Sequence, residues 1–196
     1  MNYIHKIECG HATALRMSAI YGANGAGKSN LLQALNLDRI YALDYKHGDT
    51  VWFVIDTDSW EKEGKITPLR VFCSQQNEAI PQILDEVKSY SAWNVAQSNP
   101  CFEIWLYYHF YNTKPQEEDV SKYASFKEYV NSVISGGFNF EKDPARLEDA
   151  IANTNKNFHI TQTGTLLLYS SEVYRLGIEI DGFVKKDVSK LRNKIV

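Results

Sequence analysis

The sequence predicts an α/β protein in which a mostly parallel sheet is flanked by helices. The clearest observation is the continuous apolar run Val51–Ile55, whose β-branched and aromatic residues are typical of a strand buried on both faces. Two further strand candidates, Leu15–Tyr21 and Trp93–Ala96, are each followed by a segment with a helical pattern, and this alternation favours parallel strands. Ligands gather at the carboxyl ends of such strands, so the segments that follow them are the first candidates for a functional site.

Glycine-rich and polar segments divide the first half of the chain into short strands and helices. The strand candidate Leu15–Tyr21 stops at a Gly-rich turn. Leucines at helical spacing predict a helix over Gly27–Leu37, and Arg39–Thr50 forms a polar connector to the strand Val51–Ile55. Beyond that strand, the pattern predicts a polar loop over Ser59–Ile66, a short strand over Leu69–Cys73 and an amphipathic helix over Ala79–Lys88.

The second half is predicted to be mainly helical. Ser98-Asn99-Pro100 combines a polar N-cap with a proline in the first turn, and it predicts the start of a buried helix over Cys101–Tyr111. Ser125 and Glu128 have the spacing of a capping box, which predicts a helix that ends at Gly136-Gly137. Further along, the pattern predicts a helix over Ala145–Asn153, a strand over Thr165–Tyr169 and a helical tail over Ser171–Lys194 that is interrupted near Gly182.

Composition and charge bear on the class of protein and its compartment. The net charge of -3 and the pI of about 6.0 provide no overall basic field of the kind that indicates nucleic-acid binding. The cysteines Cys9, Cys73 and Cys101 are odd in number and widely spaced, which favours a reducing compartment over a disulfide framework. No apolar run is long enough to span a bilayer, and residues 1–10 lack the apolar core of a signal peptide. We therefore expect a cytoplasmic protein without a membrane partner.

The segment from Gly22 to Ser29 matches the phosphate-binding loop pattern G-x-x-x-x-G-K-[ST] in full. Its glycines allow backbone N–H groups to surround phosphate oxygens, and the predicted helix that follows points its positive end at the anion. Lys28 would reach the terminal phosphates of a nucleotide, and the Ser29 hydroxyl would hold Mg²⁺. The alternative is a Gly-rich turn that binds no ligand. The predicted nucleotide-binding residues are Gly22, Asn24, Gly25, Gly27, Lys28 and Ser29.

A second candidate site follows the buried strand. Asp56 and Asp58 flank Thr57 at its end, and a period of two would point both carboxylates to the same side. Such a pair is suited to holding Mg²⁺ or Mn²⁺ because hard cations prefer oxygen ligands, and clusters of this kind support two-metal phosphoryl transfer. The alternative is a polar strand end with capping aspartates, and the spacing alone leaves the two interpretations level.

A third acidic residue, Glu103, lies in the first turns of the otherwise apolar helix predicted over Cys101–Tyr111. A buried carboxylate needs a partner, a metal or a proton, so Glu103 is a candidate catalytic residue. The alternative is a carboxylate that the dipole favours at a helix N-terminus. His109 on the same helix is predicted to be a core histidine bonded to the backbone.

The order and spacing of two segments resemble the RloB family: Val54-Ile55-Asp56-Thr57-Asp58, and Ser98-Asn99-Pro100-Cys101-Phe102-Glu103-Ile104-Trp105-Leu106 with His109-Phe110. This family also occurs as the second component of AbiL abortive-infection pairs, and its fold is similar to the Toprim domain, a Mg²⁺-dependent phosphoryl-transfer module. The resemblance covers residues 44–196. It implies that Asp56 and Asp58 are metal ligands, and that Ser98, Asn99 and Glu103 line the far wall of the site.

The beginning of the chain resembles a different kind of protein. The stretch Ala19-Ile20-Tyr21-Gly22-Ala23-Asn24-Gly25-Ala26-Gly27-Lys28-Ser29-Asn30-Leu31-Leu32 is similar to the start of RloA-type AAA ATPases, and this resemblance covers residues 1–37. Those ATPases carry a strand that ends in Asp-Glu, whereas Thr57 follows Asp56 here, so the resemblance implies ATP binding without efficient hydrolysis. The predicted domains are a phosphate-loop segment, residues 1–43, and an RloB-like, Toprim-related domain, residues 44–196.

The chain departs from the Toprim pattern at one point, which leaves several functions open. Toprim domains open with a strand that ends in Glu-Gly, whereas the strand before the aspartate pair ends Tyr21-Gly22. Three explanations remain: a natural truncated fusion, an engineered or mis-assembled product, or a hybrid site in which the phosphate loop takes a triphosphate and Asp56 and Asp58 hold its Mg²⁺. We predict a bacterial anti-phage defence protein with a Mg²⁺-dependent nuclease or effector site, acting on nucleic acid beside a partner AAA ATPase. The alternatives are an ATP-binding protein without nuclease activity and an inactive interaction module.

Overall fold

The computed structural model describes residues 3–7, 17–21, 50–79 and 93–195, and the predicted α/β class is confirmed there. Two compact units are present: residues 1–55 with 59–95, and residues 56–58 with 96–196. The described strands are β1 (Tyr3–Ile7), β2 (Met17–Tyr21), β3 (Thr50–Asp56), β4 (Trp93–Asn99) and β5 (Ser170–Ser171). The described α-helices are α1 (Thr57–Trp60), α2 (Ile66–Ala79), α3 (Glu103–Tyr107), α4 (Glu117–Val120), α5 (Phe126–Val133), α6 (Leu147–Asn157) and α7 (Val173–Ile195).

Strands β1, β2 and β3 form a mixed sheet in the first unit. β1 pairs antiparallel with β2, and β2 pairs parallel with β3. The prediction of a mostly parallel sheet is therefore wrong in this part, because residues 8–16 are fewer than the roughly dozen that a parallel crossover needs. The parallel pairing sets Tyr21 beside Val54, so β2 ends at the same edge of the sheet as β3.

The core of the first unit is formed by β3, the start of β4 and helix α2. Phe53 of β3 stacks on Trp93 of β4 with ring centroids 6.2 Å apart, and Leu69 of α2 is fully buried beside them. The predicted strand over Leu69–Cys73 is wrong, because these residues belong to α2. Ile66, Leu69 and Cys73 recur at helical spacing and all face the core, which a five-residue window does not reveal.

In the second unit, the end of β4 pairs antiparallel with β5. Ser98 lies opposite Ser171, and Asn99 lies opposite Ser170. This pairing keeps both residues in the strand, so the predicted helix N-cap at Ser98-Asn99 is wrong. Helix α3 begins only at Glu103 and is shorter than the predicted Cys101–Tyr111. It packs on α5 through a cluster of tyrosines and aliphatic residues: Ile104, Tyr107, Tyr108, Tyr129, Val130, Ile134 and Tyr169.

The capping box that starts α5 is confirmed. The Ser125 hydroxyl accepts a hydrogen bond of 3.2 Å from the N–H of Glu128, and the Glu128 carboxylate accepts one of 3.0 Å from the N–H of Ala124. The helix ends at Val133, and Gly136-Gly137 follow with positive φ, as their predicted role in stopping the helix requires.

The remaining predictions for the second half have mixed outcomes. The predicted helix Ala145–Asn153 is present as a 3₁₀ turn followed by α6. The predicted strand Thr165–Tyr169 is wrong, because Leu166 makes only an isolated bridge to Ile160. The tail is helical as expected, but α7 runs through Gly182 without the predicted interruption. None of the helices in the described ranges is long and apolar enough to cross a membrane.

Three predictions lie outside the described residues and stay predictions. They are the helix Gly27–Leu37, the stretch of the helix Ala79–Lys88 beyond Ala79, and the domain division after residue 43. The strands predicted at Leu15–Tyr21, Val51–Ile55 and Trp93–Ala96 correspond to β2, β3 and β4.

Candidate acidic site at the end of strand β3

Asp56 is the last residue of β3, and its side chain is half-buried. Its Oδ1 accepts a hydrogen bond of 2.8 Å from the backbone N–H of Phe102, just before α3. Burial raises the pKa of Asp56 above its ordinary value, although the bond from Phe102 and the charge of Lys127 lower it. The negative charges of Asp58 and Glu103 raise it further. Asp56 is therefore a carboxylate held among like charges.

Asp58 does not continue the strand. The chain turns directly after Asp56 into the short helix α1, so the expected period-two alignment of the two aspartates is wrong. Asp58 is exposed, and its backbone N–H donates a hydrogen bond of 3.1 Å to the carbonyl oxygen of Pro100. The two carboxylates still interact, because the charge of Asp58 acts on Asp56.

Thr57, between the aspartates, fixes the turn. Its side chain is buried, and its hydroxyl donates a hydrogen bond of 2.9 Å to the carbonyl oxygen of Ser98. The same hydroxyl accepts a hydrogen bond of 2.7 Å from the side-chain amide of Gln97. Since donor and acceptor are both used, Thr57 holds the end of β3 against β4 rather than facing a ligand.

The predicted wall residues Ser98 and Asn99 act within the fold. Ser98 is fully buried, and its hydroxyl lies 2.8 Å from the hydroxyl of Ser171. The Asn99 side chain donates a hydrogen bond of 2.9 Å to the carbonyl oxygen of Leu166. Both side chains therefore attach β4 to β5 and to the segment before it.

Glu103 faces Lys127, a residue that the sequence reasoning missed. Oε1 of Glu103 lies 3.5 Å from Nζ of Lys127, and the two side chains are 21% and 38% exposed. Oε2 of Glu103 is buried without a hydrogen-bond partner in the part of the chain that the structure describes. Burial lowers the pKa of Lys127, but the charges of Glu103 and Asp56 outweigh it and the pKa is raised. One signal in the sequence could have identified Lys127: it is a cation in the first turn of a helix, where acidic residues are favoured.

Cys101 lies beside the acidic residues as a buried thiol. Burial is the largest cause that raises its pKa far above the ordinary range, and the neighbouring carboxyl of Glu103 and the charge of Asp56 add to it. Because the thiolate is the nucleophilic form, Cys101 is a packing residue at neutral pH.

His109 is the core histidine that the sequence predicts, and this prediction is confirmed. Its ring is buried between Trp105 and Phe138, and Nδ1 lies 3.0 Å from the carbonyl oxygen of Trp105. Burial lowers the pKa of His109 to about 4, so the ring is neutral at pH 7.

The structure brings together some of the predicted site residues and leaves others outside its described ranges. The charges of Asp58 and Glu103 both act on Asp56. The whole phosphate loop, Gly22–Ser29, lies outside the described residues, so its roles and that of Ser29 as a metal ligand stay predictions. Across residues 50–79 and 93–195, no three His, Cys, Asp or Glu side chains are grouped as a preformed metal site.

The one carboxylate expected at the opening of a Toprim domain has no counterpart at this edge in the described strands. Ile7, the last residue of β1, pairs with Met17, and Met17 pairs with Thr50 at the start of β3. The end of β1 therefore lies at the opposite edge of the sheet from the end of β3.

The fold and these contacts define an α/β protein with an acidic site at the carboxyl end of a buried strand. The family model described as RloB-like protein matches residues 4–179. The match covers most of the chain, so this chain belongs to the RloB-like family. No curated protein and no solved structure matches it significantly. The resemblance on which the sequence prediction depended is confirmed at the level of the family, and the match also includes residues predicted to form the phosphate-loop segment.

Proposed function

We propose that this RloB-like protein acts in anti-phage defence by cleaving phosphodiester bonds in nucleic acid at the acidic site, with Mg²⁺ as cofactor. The observation that carries the proposal is the setting of Asp56. It is a half-buried carboxylate at the end of β3 whose charge is crowded by Asp58 and Glu103. Such crowding costs free energy unless a cation relieves it, and perturbed carboxylates of this kind cluster at functional sites.

The donor atoms fit a hard divalent cation. Asp56 uses Oδ1 to accept the N–H of Phe102, which orients the carboxylate. Asp58, two residues further along, adds an exposed carboxylate whose charge acts on Asp56. Mg²⁺ is commonly held by one or two carboxylates together with water and substrate phosphates, so a preformed cage of three side chains is not required.

The acidic residues divide into metal ligands and a base. Asp56 and Asp58 would hold the ion, which when bound neutralises charge that develops on the phosphate. The N–H of Phe102 keeps the Asp56 carboxylate oriented at the end of the strand. Oε2 of Glu103 would accept a proton from the attacking water, because it is a buried carboxylate oxygen without a hydrogen-bond partner among the described residues.

The phosphate loop forms the second part of the proposal. The complete motif at Gly22–Ser29 supports ATP binding, with Lys28 on the phosphates and Ser29 on the Mg²⁺ of the nucleotide. The RloB-like family also suggests a partner AAA ATPase, with which this chain would act. A Lys28→Ala variant is expected to lose ATP binding in equilibrium titrations while it keeps the thermal unfolding temperature of the original protein. Retained ATP binding in that variant would remove the phosphate loop from the proposal.

The decisive experiment is a cleavage assay with labelled tRNA and with single- and double-stranded DNA, in Mg²⁺ or Mn²⁺. We expect cleavage by the original protein and none by the Asp56→Asn/Asp58→Asn variant, because the amides no longer attract the cation. Glu61→Gln is the matched control, since Glu61 is an exposed carboxylate just past α1. A folded original protein that cleaves none of these substrates, or equal cleavage by the double variant, would contradict the proposal.

A further inference from the structure

Lys127 occupies a position that helix stability does not explain. It is the second residue of α5, whose N-terminus is capped by the hydroxyl of Ser125. The first turn of a helix carries a partial positive charge, so a cation there is unfavourable. Glu128 in the same turn has the favoured sign and completes the capping box. The reason for a cation at this position therefore lies outside the helix.

The charge of Lys127 is directed at the acidic site. Nζ lies 3.5 Å from Oε1 of Glu103, and the same charge acts on Asp56. The carboxylates that raise the pKa of Lys127 are those of Glu103 and Asp56. At 38% exposure, the side chain remains within reach of a dissolved anion.

The ammonium group of Lys127 and a divalent cation held by the aspartates carry charges of the same sign. Lys127 acts on Asp56, the proposed ligand, and contacts Glu103, so its charge opposes the binding of the cation. A phosphate group attracts both positive charges.

We propose that Lys127 couples the binding of the divalent cation to the binding of phosphate at the acidic site. Without phosphate, its ammonium group stays beside Glu103 and weakens the binding of the cation. When a phosphate oxygen takes up the ammonium group, Lys127 no longer repels the cation from the aspartates. This inference rests on the proposed function, because it requires that the acidic site binds a divalent cation.

Calorimetric titrations of the Lys127→Met protein test the coupling with two probes, Mn²⁺ alone and thymidine 5′-monophosphate in saturating Mg²⁺. Removing the competing charge should make Mn²⁺ bind about two- to fivefold more tightly, the size expected for a partly exposed ion pair. Loss of a charged hydrogen bond should weaken binding of the monophosphate by roughly tenfold. The matched control is Lys122→Met, which removes an exposed lysine bonded to Asp119 at 2.7 Å and should change neither affinity.

The expected changes in the two affinities have opposite signs, and this distinguishes the coupling from a structural role of Lys127. A lysine that only supports the fold would weaken both affinities, whereas the coupling requires tighter binding of Mn²⁺ together with weaker binding of the monophosphate. Unchanged or weaker Mn²⁺ binding in Lys127→Met overturns the coupling but leaves the metal site, provided that Asp56→Asn abolishes Mn²⁺ binding. If the original protein binds no Mn²⁺, or Asp56→Asn binds it equally well, the proposed function fails and the coupling fails with it.

Discussion

The two compact units stabilise their interiors in different ways. The buried cluster of the first is apolar, and its members include Phe53 on β3 and Leu69 on α2. In the second, buried polar side chains form hydrogen bonds with one another or with the backbone: Thr57, Gln97, Ser98, Ser170, Ser171 and Glu172. Apolar burial is non-directional, whereas a satisfied polar network fixes atoms in one arrangement. This difference shows that buried polar groups fix the positions of strand ends and turns in the second unit. The acidic site belongs to that unit.

Glu172 shows how this positioning works. Its Oε2 accepts a hydrogen bond of 3.1 Å from the N–H of Gln97, and its own N–H donates one of 2.8 Å to the carbonyl oxygen of Gln97. Its Oε1 lies 3.4 Å from the guanidinium of Arg175. A buried carboxylate with two kinds of partner ties β4 to the start of α7, so the strand that holds Thr57 is itself held in place.

Replacing Phe53 by Ala tests the apolar core of the first unit, and it should lower the free energy of unfolding more than the other substitutions proposed below. Phe53 is almost completely buried in the first unit, where it stacks on Trp93. Loss of the ring leaves a cavity, so the free energy of unfolding is expected to fall by about 3–5 kcal/mol in urea titrations. The exposed Phe140 is the matched control, and Phe140→Ala should change it by less than about 0.5 kcal/mol. A loss below about 1 kcal/mol for Phe53→Ala would show that this core is not tightly packed.

The pH dependence of stability tests the buried polar groups of the second unit, among them His109. Burial lowers the pKa of His109 to about 4, below its ordinary 6.5. Between these pH values the unfolded chain binds a proton that the folded protein does not. Stability should therefore fall as the pH drops from about 6.5 to about 4, by up to about 3 kcal/mol. His109→Phe should flatten this part of the curve.

The control for His109 is His159→Gln, because His159 is exposed. That variant should retain the decline of the original protein between about pH 6.5 and about pH 4, as measured by urea titrations at a series of pH values. Equal declines for the original protein and His109→Phe would show that folding does not lower the pKa of His109.

Asp56→Asn should have the smallest effect on stability, and of the opposite sign. Burial and neighbouring charges raise the pKa of Asp56, so the ionised form is disfavoured in the folded protein. Asparagine removes the charge and keeps an oxygen for the N–H of Phe102. At pH 7 the free energy of unfolding should rise by less than about 1 kcal/mol, and the gain should vanish at low pH, where the carboxyl is already neutral. A clear loss of stability would mean that the carboxylate is structural.

Local sequence patterns predicted the elements whose causes are local. The apolar run of β3 and the capping box at Ser125 and Glu128 each carry their signal within a few residues. The end of β4 was mispredicted because the pairing of Ser98 with Ser171 joins residues far apart in the chain. Helix α2 was missed because an apolar run as short as Leu69–Cys73 fits either element, and only its wider spacing separates them.

Of the residues that form the candidate site, only the carboxylates could be predicted from the sequence. Asp56, Asp58 and Glu103 could be singled out by strand position, spacing and the apolar helix around them. Lys127 could not, because it lies on a different helix and shares no motif with them. The helical turn at Thr57 also escaped prediction, since its cause is the bond to Ser98 across β4.

The doubly bonded hydroxyl of Thr57 has a consequence for protein engineering. An acidic pair copied onto another scaffold as Asp-Thr-Asp would lack the carbonyl of Ser98 and the amide of Gln97 that set its turn. The smallest transplantable fragment therefore contains two strand ends, and a designer who keeps the aspartates but replaces Thr57 with valine should obtain a folded protein with a misplaced Asp58.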